Sequence, residues 1–341
     1  MMNKTGAAII GCGAIFPLHA DAVMELDDAG LRLVVDSDLP KAQAAAARYA
    51  CEAAADYRVL LERDDIQVIH LCTPHHLHAE MAVELLAAGK HVLTEKPMAE
   101  NPASADALLE AARNSRGQLG VTFQNRYNAA SQMIHEYIAS GSLGRLICMK
   151  GIVTWHRDQA YYESAPWRGR WATEGGGVLI NQTLHTLDLL QWFGGAISSV
   201  KGSVTADALA DLIEVEDTAH ACIDFTSGAR ALFYGTTAYG TDSPVELEIV
   251  FENGVLTQRR DSLYLWKDGE ETRLCEPPQT KAGGKSYWGT SHRKLIADFY
   301  RHVRDGRPFW IDAEEGKKSL ELMAGLYEYT RSRQGLRFPP E

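Results

Sequence analysis

The chain has 341 residues, long for one hydrophobic core and comfortable for two domains. Hydrophobic residues make up 45% and charged residues 23%, an ordinary globular composition, and a net charge of −11 disfavours a general electrostatic grip on nucleic acid or on an anionic membrane. Small molecules are the expected partners. Six cysteines (Cys12, Cys51, Cys72, Cys148, Cys222 and Cys275) stand without a C-x-x-C pair, which fits reduced thiols. With neither a signal-peptide pattern nor a membrane-length apolar run, the expected setting is the cytoplasm.

Residues 7–10 form a short apolar run, followed by Gly11-Cys12-Gly13-Ala14-Ile15-Phe16-Pro17 and a helical pattern over 19–26. This reads as strand, tight glycine turn, helix. The glycines let the backbone turn sharply and approach a pyrophosphate, which the helix N–H groups and positive end stabilise. Pro17 suits the first helical turn. Phe16 stands where the usual third glycine is expected, which affects helix–strand packing rather than the phosphate turn. The next strand, 31–36, ends in Asp36 at about the fingerprint distance. Asp36 can accept hydrogen bonds from an adenosine ribose, and its charge repels a 2′-phosphate. NAD is therefore expected ahead of NADP, with Ser37 and Lys41 softening the preference.

Asp38 caps a second helix that runs to about residue 49. A buried strand over 68–72 closes on Thr73-Pro74-His75-His76-Leu77-His78. Three histidines so close raise the idea of a metal, but no carboxylate or cysteine sits at ligand spacing. No metal is expected, and the stretch reads as exposed polar residues in a loop over the nicotinamide-side ribose. A helix over 77–88 stops at Gly89, and 91–94 suit a strand covered on both faces. Glu95, Lys96 and Pro97 then fall where a parallel strand runs out, the edge at which open α/β sheets bind ligands. On these residues alone Lys96 reads equally as a substrate-facing group or as a solvated lysine beside a turn proline. A helix over 103–113 and a strand over 119–123 complete the alternation of a doubly wound parallel sheet, a Rossmann domain over 1–124.

These residues resemble the N-terminal domain of the Gfo/Idh/MocA oxidoreductases, the family of glucose–fructose oxidoreductase and inositol dehydrogenase. The resemblance is carried by Gly11-Cys12-Gly13-Ala14-Ile15, by Cys72-Thr73-Pro74 with His78, and above all by Ala88-Gly89-Lys90-His91-Val92 leading to Glu95-Lys96-Pro97. It continues through Gln124-Asn125-Arg126-Tyr127 and across the second half. It implies a cofactor site of Gly11, Gly13, Ala14, Ile15, Asp36, Ser37, Cys72, Thr73, Pro74, His75, His78, Glu95, Lys96 and Asn125. It also implies a cis Lys96–Pro97 bond, with Lys96 pointing at the oxygen of the reacting carbon.

The second domain, 125–341, is expected to be α+β. Residues 145–156 are strand-like, and 157–171 are too polar and aromatic for a long helix. Glu174-Gly175-Gly176-Gly177 leads into a helix over 178–190 whose polar stripe, Asn181, His185 and Asp188, recurs at i, i+4 and i+7. Such a stripe faces either a cleft or a polar partner in the core. The resemblance, to a motif G-G-G-x-x-x-D/N-x-x-x-H-x-x-D, implies a catalytic helix. Asn181 stands where many members have aspartate and cannot carry charge, so a base role passes to His185. Strands over 197–205, 215–225, 229–236 and 245–251 suggest a large, mostly antiparallel sheet with one open face, and helices over 291–304 and 314–329 close the chain. The resemblance implies a homodimer or homotetramer built through this sheet.

The expected reaction is hydride transfer between a nicotinamide and a sugar-like secondary alcohol. His185 serves as general base, since a histidine ordinarily titrates near neutral pH; Lys96 holds the reacting oxygen, and Asn181 holds the substrate. Arg126, Tyr161, Trp167, Arg168 and His292 join Lys96, Asn181 and His185 as candidate substrate contacts. Two rivals come from the same family: a redox-neutral NAD-dependent glycosidase and a non-catalytic NAD(P)-binding regulator.

Overall fold

The computed structural model describes residues 4–259, 262–276 and 291–334. The chain divides into two compact units, 1–124 with 291–317, and 125–290 with 318–341. Residues 291–317, expected in the second domain, fall in the first unit. The segment groups with the first because helix α9, His292–Arg304, buries Leu295, Ile296 and Phe299 there. The Phe299 ring lies so close to Gly120 that a Cβ on that residue would sit 2.8 Å from it.

The first unit is built on a six-stranded parallel sheet. Its strands are β1 (Thr5–Ile10), β2 (Ala29–Val35), β3 (Glu52–Ala54), β4 (Val68–Leu71), β5 (His91–Thr94) and β6 (Leu119–Val121), in the order β3-β2-β1-β4-β5-β6. Strand order reverses between β1 and β4, the switch point at which such sheets open a crevice. The strands are apolar along their length because α1 (Phe16–Met24), α2 (Leu39–Tyr49), α3 (His75–Ala87) and α4 (Pro102–Asn114) accompany them; Ala7, Ile9, Val34, Ile69, Val92 and Leu93 are fully buried. Register brings the strand ends level: Ile10 pairs with Val35 and with Leu71, and Leu71 pairs with Thr94. Gly11, Asp36, Cys72 and Glu95 are therefore the next residues along one carboxyl edge. The last strand stops at Val121 rather than 123, because the Phe123 N–H turns back to the Val121 carbonyl.

The second unit holds an eight-stranded sheet ordered β14-β13-β12-β11-β7-β10-β9-β8. The strands are β7 (Leu146–Thr154), β8 (Ile197–Thr205), β9 (Thr218–Phe225), β10 (Arg230–Thr236), β11 (Glu246–Phe251), β12 (Gly254–Arg259), β13 (Ser262–Lys267) and β14 (Glu270–Cys275). All neighbours run antiparallel except β7 with β10. Helices α5 (Ala129–Ser140), α6 (Gln159–Glu163), α7 (Trp171–Glu174) and α8 (Leu184–Gly194) belong here, and α10 (Ala313–Gln334) runs across the boundary at 317. Gly151 of β7 lets α8 lie close, since a Cβ there would meet Thr186 at 2.9 Å and Leu190 at 3.0 Å. On the opposite face Leu232, Tyr234 and Trp266 are exposed.

The segment that follows the glycine triplet departs from the sequence reading. Helix α8 begins at Leu184, not 178, so Asn181 lies in a turn ahead of it and shares no helical stripe with His185 and Asp188. The turn is tied across the chain to Glu216. Its carboxylate accepts from the Gly177 and Leu179 N–H groups, each at 3.0 Å, and its carbonyl accepts from the Val178 N–H. Within the turn the Thr183 N–H donates to the Val178 carbonyl at 2.9 Å, five residues back rather than the four of an α-helix.

Candidate functional site

In the first unit the glycine turn is built for an anion. Gly11 has φ +95°, and a Cβ there would sit 2.4 Å from the Cys72 carbonyl oxygen, so only glycine fits. A Cβ on Gly13 would meet nothing within 4 Å. Helix α1 follows with no side-chain cap and no acid in its first turn, leaving its positive end for a phosphate. In place of the third glycine, Phe16 is buried with its ring edge-on to Tyr49 at 5.5 Å. Ala14 and Ser37 are exposed and Ile15 half-buried along the same edge.

Asp36 is held in place by three partners. Its Oδ2 accepts from the Cys12 N–H at 2.9 Å, its Oδ1 from the Asp38 N–H at 3.0 Å, and the Lys41 ammonium lies 3.1 Å away. Partial burial opposes ionisation, but the two N–H groups and Lys41 outweigh it and keep the carboxyl below its ordinary range. Across the switch point Thr73 Oγ1 is buried without a hydrogen-bond partner among the described residues. The glycine turn, the open helix end, Asp36 and this orphaned hydroxyl together fit a dinucleotide.

His75 and His78 are buried in α3, not exposed in a loop, because the helix starts two residues earlier than the sequence suggests. His78 ties two loops together, with Nδ1 2.7 Å from the Pro97 carbonyl and Nε2 2.8 Å from the Thr73 carbonyl. The Lys96–Pro97 bond is cis, and Lys96 is half-buried beside it. Glu95 is buried. Its Oε1 lies 2.9 Å from His19 Nε2 and 3.5 Å from His292 Nε2, and its Oε2 accepts from the Lys96 N–H at 3.3 Å. Burial raises the Glu95 pKa, yet His19 and His292 overcome it and hold the carboxyl well below the usual range. His292, expected at a substrate, is instead buried in this group.

In the second unit the glycine-rich turn explains its own composition. Gly177 approaches the Glu216 carbonyl so closely that a Cβ would sit 1.9 Å from the oxygen, and at Gly176 it would sit 2.5 Å from the Tyr327 hydroxyl. Burial pushes the Glu216 carboxyl up to about 7, against the N–H groups that favour its charge. The turn carries Asn181, whose amide donates to Glu174 Oε1 at 2.5 Å and to the Tyr161 hydroxyl at 3.3 Å. The same phenol oxygen accepts from Gln182 at 3.0 Å and from Arg168 at 2.5 Å, and the Arg168 guanidinium lies between the Tyr161 and Trp167 rings at 4.3 and 4.5 Å. Asn181, Tyr161, Trp167 and Arg168 thus form one cluster, and half-buried His185 stands in the first turn of α8.

Arg126, a candidate substrate contact, lies in the core of the second unit. It is wholly buried and gives Asp188 two hydrogen bonds, from Nε at 2.9 Å and from a terminal nitrogen at 2.7 Å. Asp188, also wholly buried, is thus paired with a full cation. Asn125, in the short turn before α5, keeps a buried Oδ1 without a partner among the described residues. Sequence reasoning missed Glu216, Tyr327, Glu174, His19 and His70. The only signal for Glu216 was an acid pair, Glu216-Asp217, standing directly before a strand.

A parallel sheet with a glycine turn at its switch point, an acid at the end of the next strand and a Glu-Lys-Pro edge has the layout of a dinucleotide-binding oxidoreductase. Residues 5–123 match the family model described as the Gfo/Idh/MocA oxidoreductase family, NAD-binding Rossmann fold, and residues 131–257 match its C-terminal domain. The chain belongs to the Gfo/Idh/MocA family, as a NAD-binding oxidoreductase of the dehydrogenase type. It is similar to the levoglucosan dehydrogenase of Pseudarthrobacter phenanthrenivorans, 27% identical and covering 81% of each chain. It is also similar to the D-glucoside 3-dehydrogenase of Escherichia coli, 28% identical over 94% of each. Among solved structures, the WlbA dehydrogenase from Chromobacterium violaceum in complex with NADH and UDP-GlcNAcA is 30% identical, with a TM-score of 0.85 over 97% of this chain and 94% of that one.

Proposed function

We propose that the protein transfers hydride between NAD and a ring secondary alcohol of a sugar or sugar derivative. The observation that carries the reading is the single carboxyl edge on which the glycine turn, Asp36, Glu95 and Lys96 all end, which supports a lysine acting at the cofactor edge of the sheet. Relatives named for levoglucosan and for D-glucosides, and a solved relative holding UDP-GlcNAcA, support a cyclic sugar as the substrate class.

NAD, when bound, supplies the hydride acceptor. His185 takes the hydroxyl proton as general base and returns it in the reverse direction. Lys96 donates to the same oxygen and stabilises its alkoxide character. Asn181, pinned by Glu174, orients a second hydroxyl, and the Tyr161–Arg168–Trp167 stack offers the sugar a flat wall. Gly11, Gly13 and Asp36 hold the pyrophosphate and adenosine ribose; Ala14, Ile15, Ser37, Cys72, Thr73, Pro74, His75, His78, Glu95 and Asn125 complete the cofactor site. The exposed Leu232, Tyr234 and Trp266 support a homodimer or homotetramer through the open sheet face. The six free cysteines support a reducing, cytoplasmic setting.

The test is formation of NADH when purified protein is mixed with NAD and a panel of anhydrosugars, alkyl glucosides, inositols, sugar acids and nucleotide sugars. NADH release with one class is the expected result. Glycoside cleavage without net NADH, or NAD binding with no turnover of any substrate in either direction, overturns the reading in favour of a redox-neutral glycosidase or a regulator.

A further inference from the structure

A line of buried polar groups runs behind Glu95 in the first unit. Tyr300 Oη lies 3.0 Å from His70 Nε2, His70 Nδ1 lies 2.8 Å from His19 Nδ1, and His19 Nε2 lies 2.9 Å from Glu95 Oε1. His19 and His70 are fully buried, and Tyr300 nearly so. Three separate elements, α1, β4 and α9, supply the three residues. A lone buried histidine satisfies itself with one carbonyl or water, so a chain of three groups ending on a carboxylate calls for its own account.

The direction of the chain follows from its last member. An ionised carboxylate only accepts, so His19 Nε2 carries a hydrogen. Burial lowers the His19 pKa against the pull of Glu95, and lowers that of His70 further, which favours the neutral form of both rings. His19 Nδ1 then has no hydrogen and accepts from His70 Nδ1, leaving His70 Nε2 to accept from the Tyr300 hydroxyl. We propose that Tyr300, His70 and His19 form a one-way donor chain that fixes Glu95 as an oriented anion at the cofactor edge, making them positioning residues for NAD(H). The inference rests on the reading of Glu95 as a cofactor-side group. The other groups facing Glu95 are His292 of α9, His78 of α3, the neutral thiol of Cys72, and Lys96 itself.

His19, Glu95 and His292 also lie close enough to be weighed as a metal site, with their ligand atoms within 4.8 Å of one another. The chain disfavours it: the His19 nitrogen that would ligate is already 2.9 Å from the carboxylate as a donor, which satisfies the ring without an ion.

The test reads the chain with no sugar present, so its outcome does not depend on turnover. In protein with 15N-labelled histidine at pH 7.5, His19 is expected as the neutral Nε2–H tautomer and His70 as the neutral Nδ1–H tautomer. Tyr300→Phe, which deletes one hydroxyl and keeps the ring, is expected to weaken NADH binding about threefold to tenfold with little change in Tm. An imidazolium at His19, the opposite tautomer at His70, one equivalent of zinc retained through chelator dialysis, or unchanged NADH affinity in Tyr300→Phe each overturns the proposal. A protein that binds NADH this way but oxidises no sugar would refute the dehydrogenase reading and leave the chain standing.

Discussion

Two buried glutamates stand one under each functional stretch of the chain, and they solve the same problem in opposite ways. Glu95 is surrounded by imidazoles and stays ionised, its carboxyl held well below the usual range. Glu216 meets mainly backbone N–H groups, and burial lifts it to about 7. Partial charges of backbone amides shape a turn without fully compensating a buried anion; a donor chain with polarisable rings behind it does. The contrast suits their tasks: Glu95 has to present charge beside Lys96, whereas Glu216 has only to hold the glycine turn ahead of Asn181.

The largest expected effect comes from removing the space that Glu216 needs. Gly177→Ala places a methyl 1.9 Å from the Glu216 carbonyl oxygen, and should cost about 4 kcal/mol or more of stability in urea unfolding. Asp188 gives a third case, a buried carboxylate answered by a full cation. Arg126→Met strands its charge and should cost about 3 to 5 kcal/mol by the same measurement.

The pH dependence separates the two glutamates by sign. Glu216 has a folded pKa above its ordinary 4.5, so its contribution is fully present below pH 4.5 and is lost as pH rises towards 7, about 3 kcal/mol in all. His19 and His70 are shifted down from 6.5, so their contribution is present above pH 6.5 and is lost as pH falls; Glu95 adds loss below its ordinary 4.5. Hydrogen exchange should therefore show residues 175–183 gaining protection from pH 8 to pH 5 while β4 and β5 lose it. Glu216→Gln should flatten the first slope and leave the second. Parallel slopes in both regions would erase the distinction between the two carboxylates.

Much of the fold was legible because it rests on local signals. Period and punctuation placed β1, β2, β4 and β5, the Asp38 cap and the Gly89 stop, and the Glu-Lys-Pro stretch was found at the strand edge where it lies. The start of α8 was not legible. The glycines before it were visible, but the residue that ties them down, Glu216, is 39 positions from Gly177 in the chain. Helical periodicity alone therefore ran through a turn. The buried acid partners of Arg126 and His292 were hidden for a related reason, since neither Asp188 nor Glu95 is near its partner in sequence. The assignment of 291–317 failed because a C-terminal helix carries no mark of which sheet it returns to.

The most direct test of the central claim is a steady-state comparison of Lys96→Ala with the unaltered protein, on the sugar identified by NADH release, alongside NADH affinity by fluorescence titration. The account predicts a fall in kcat/KM of about 10²- to 10³-fold with NADH affinity changed by less than about threefold. Unchanged turnover in Lys96→Ala would contradict the assignment of the reacting oxygen to this lysine.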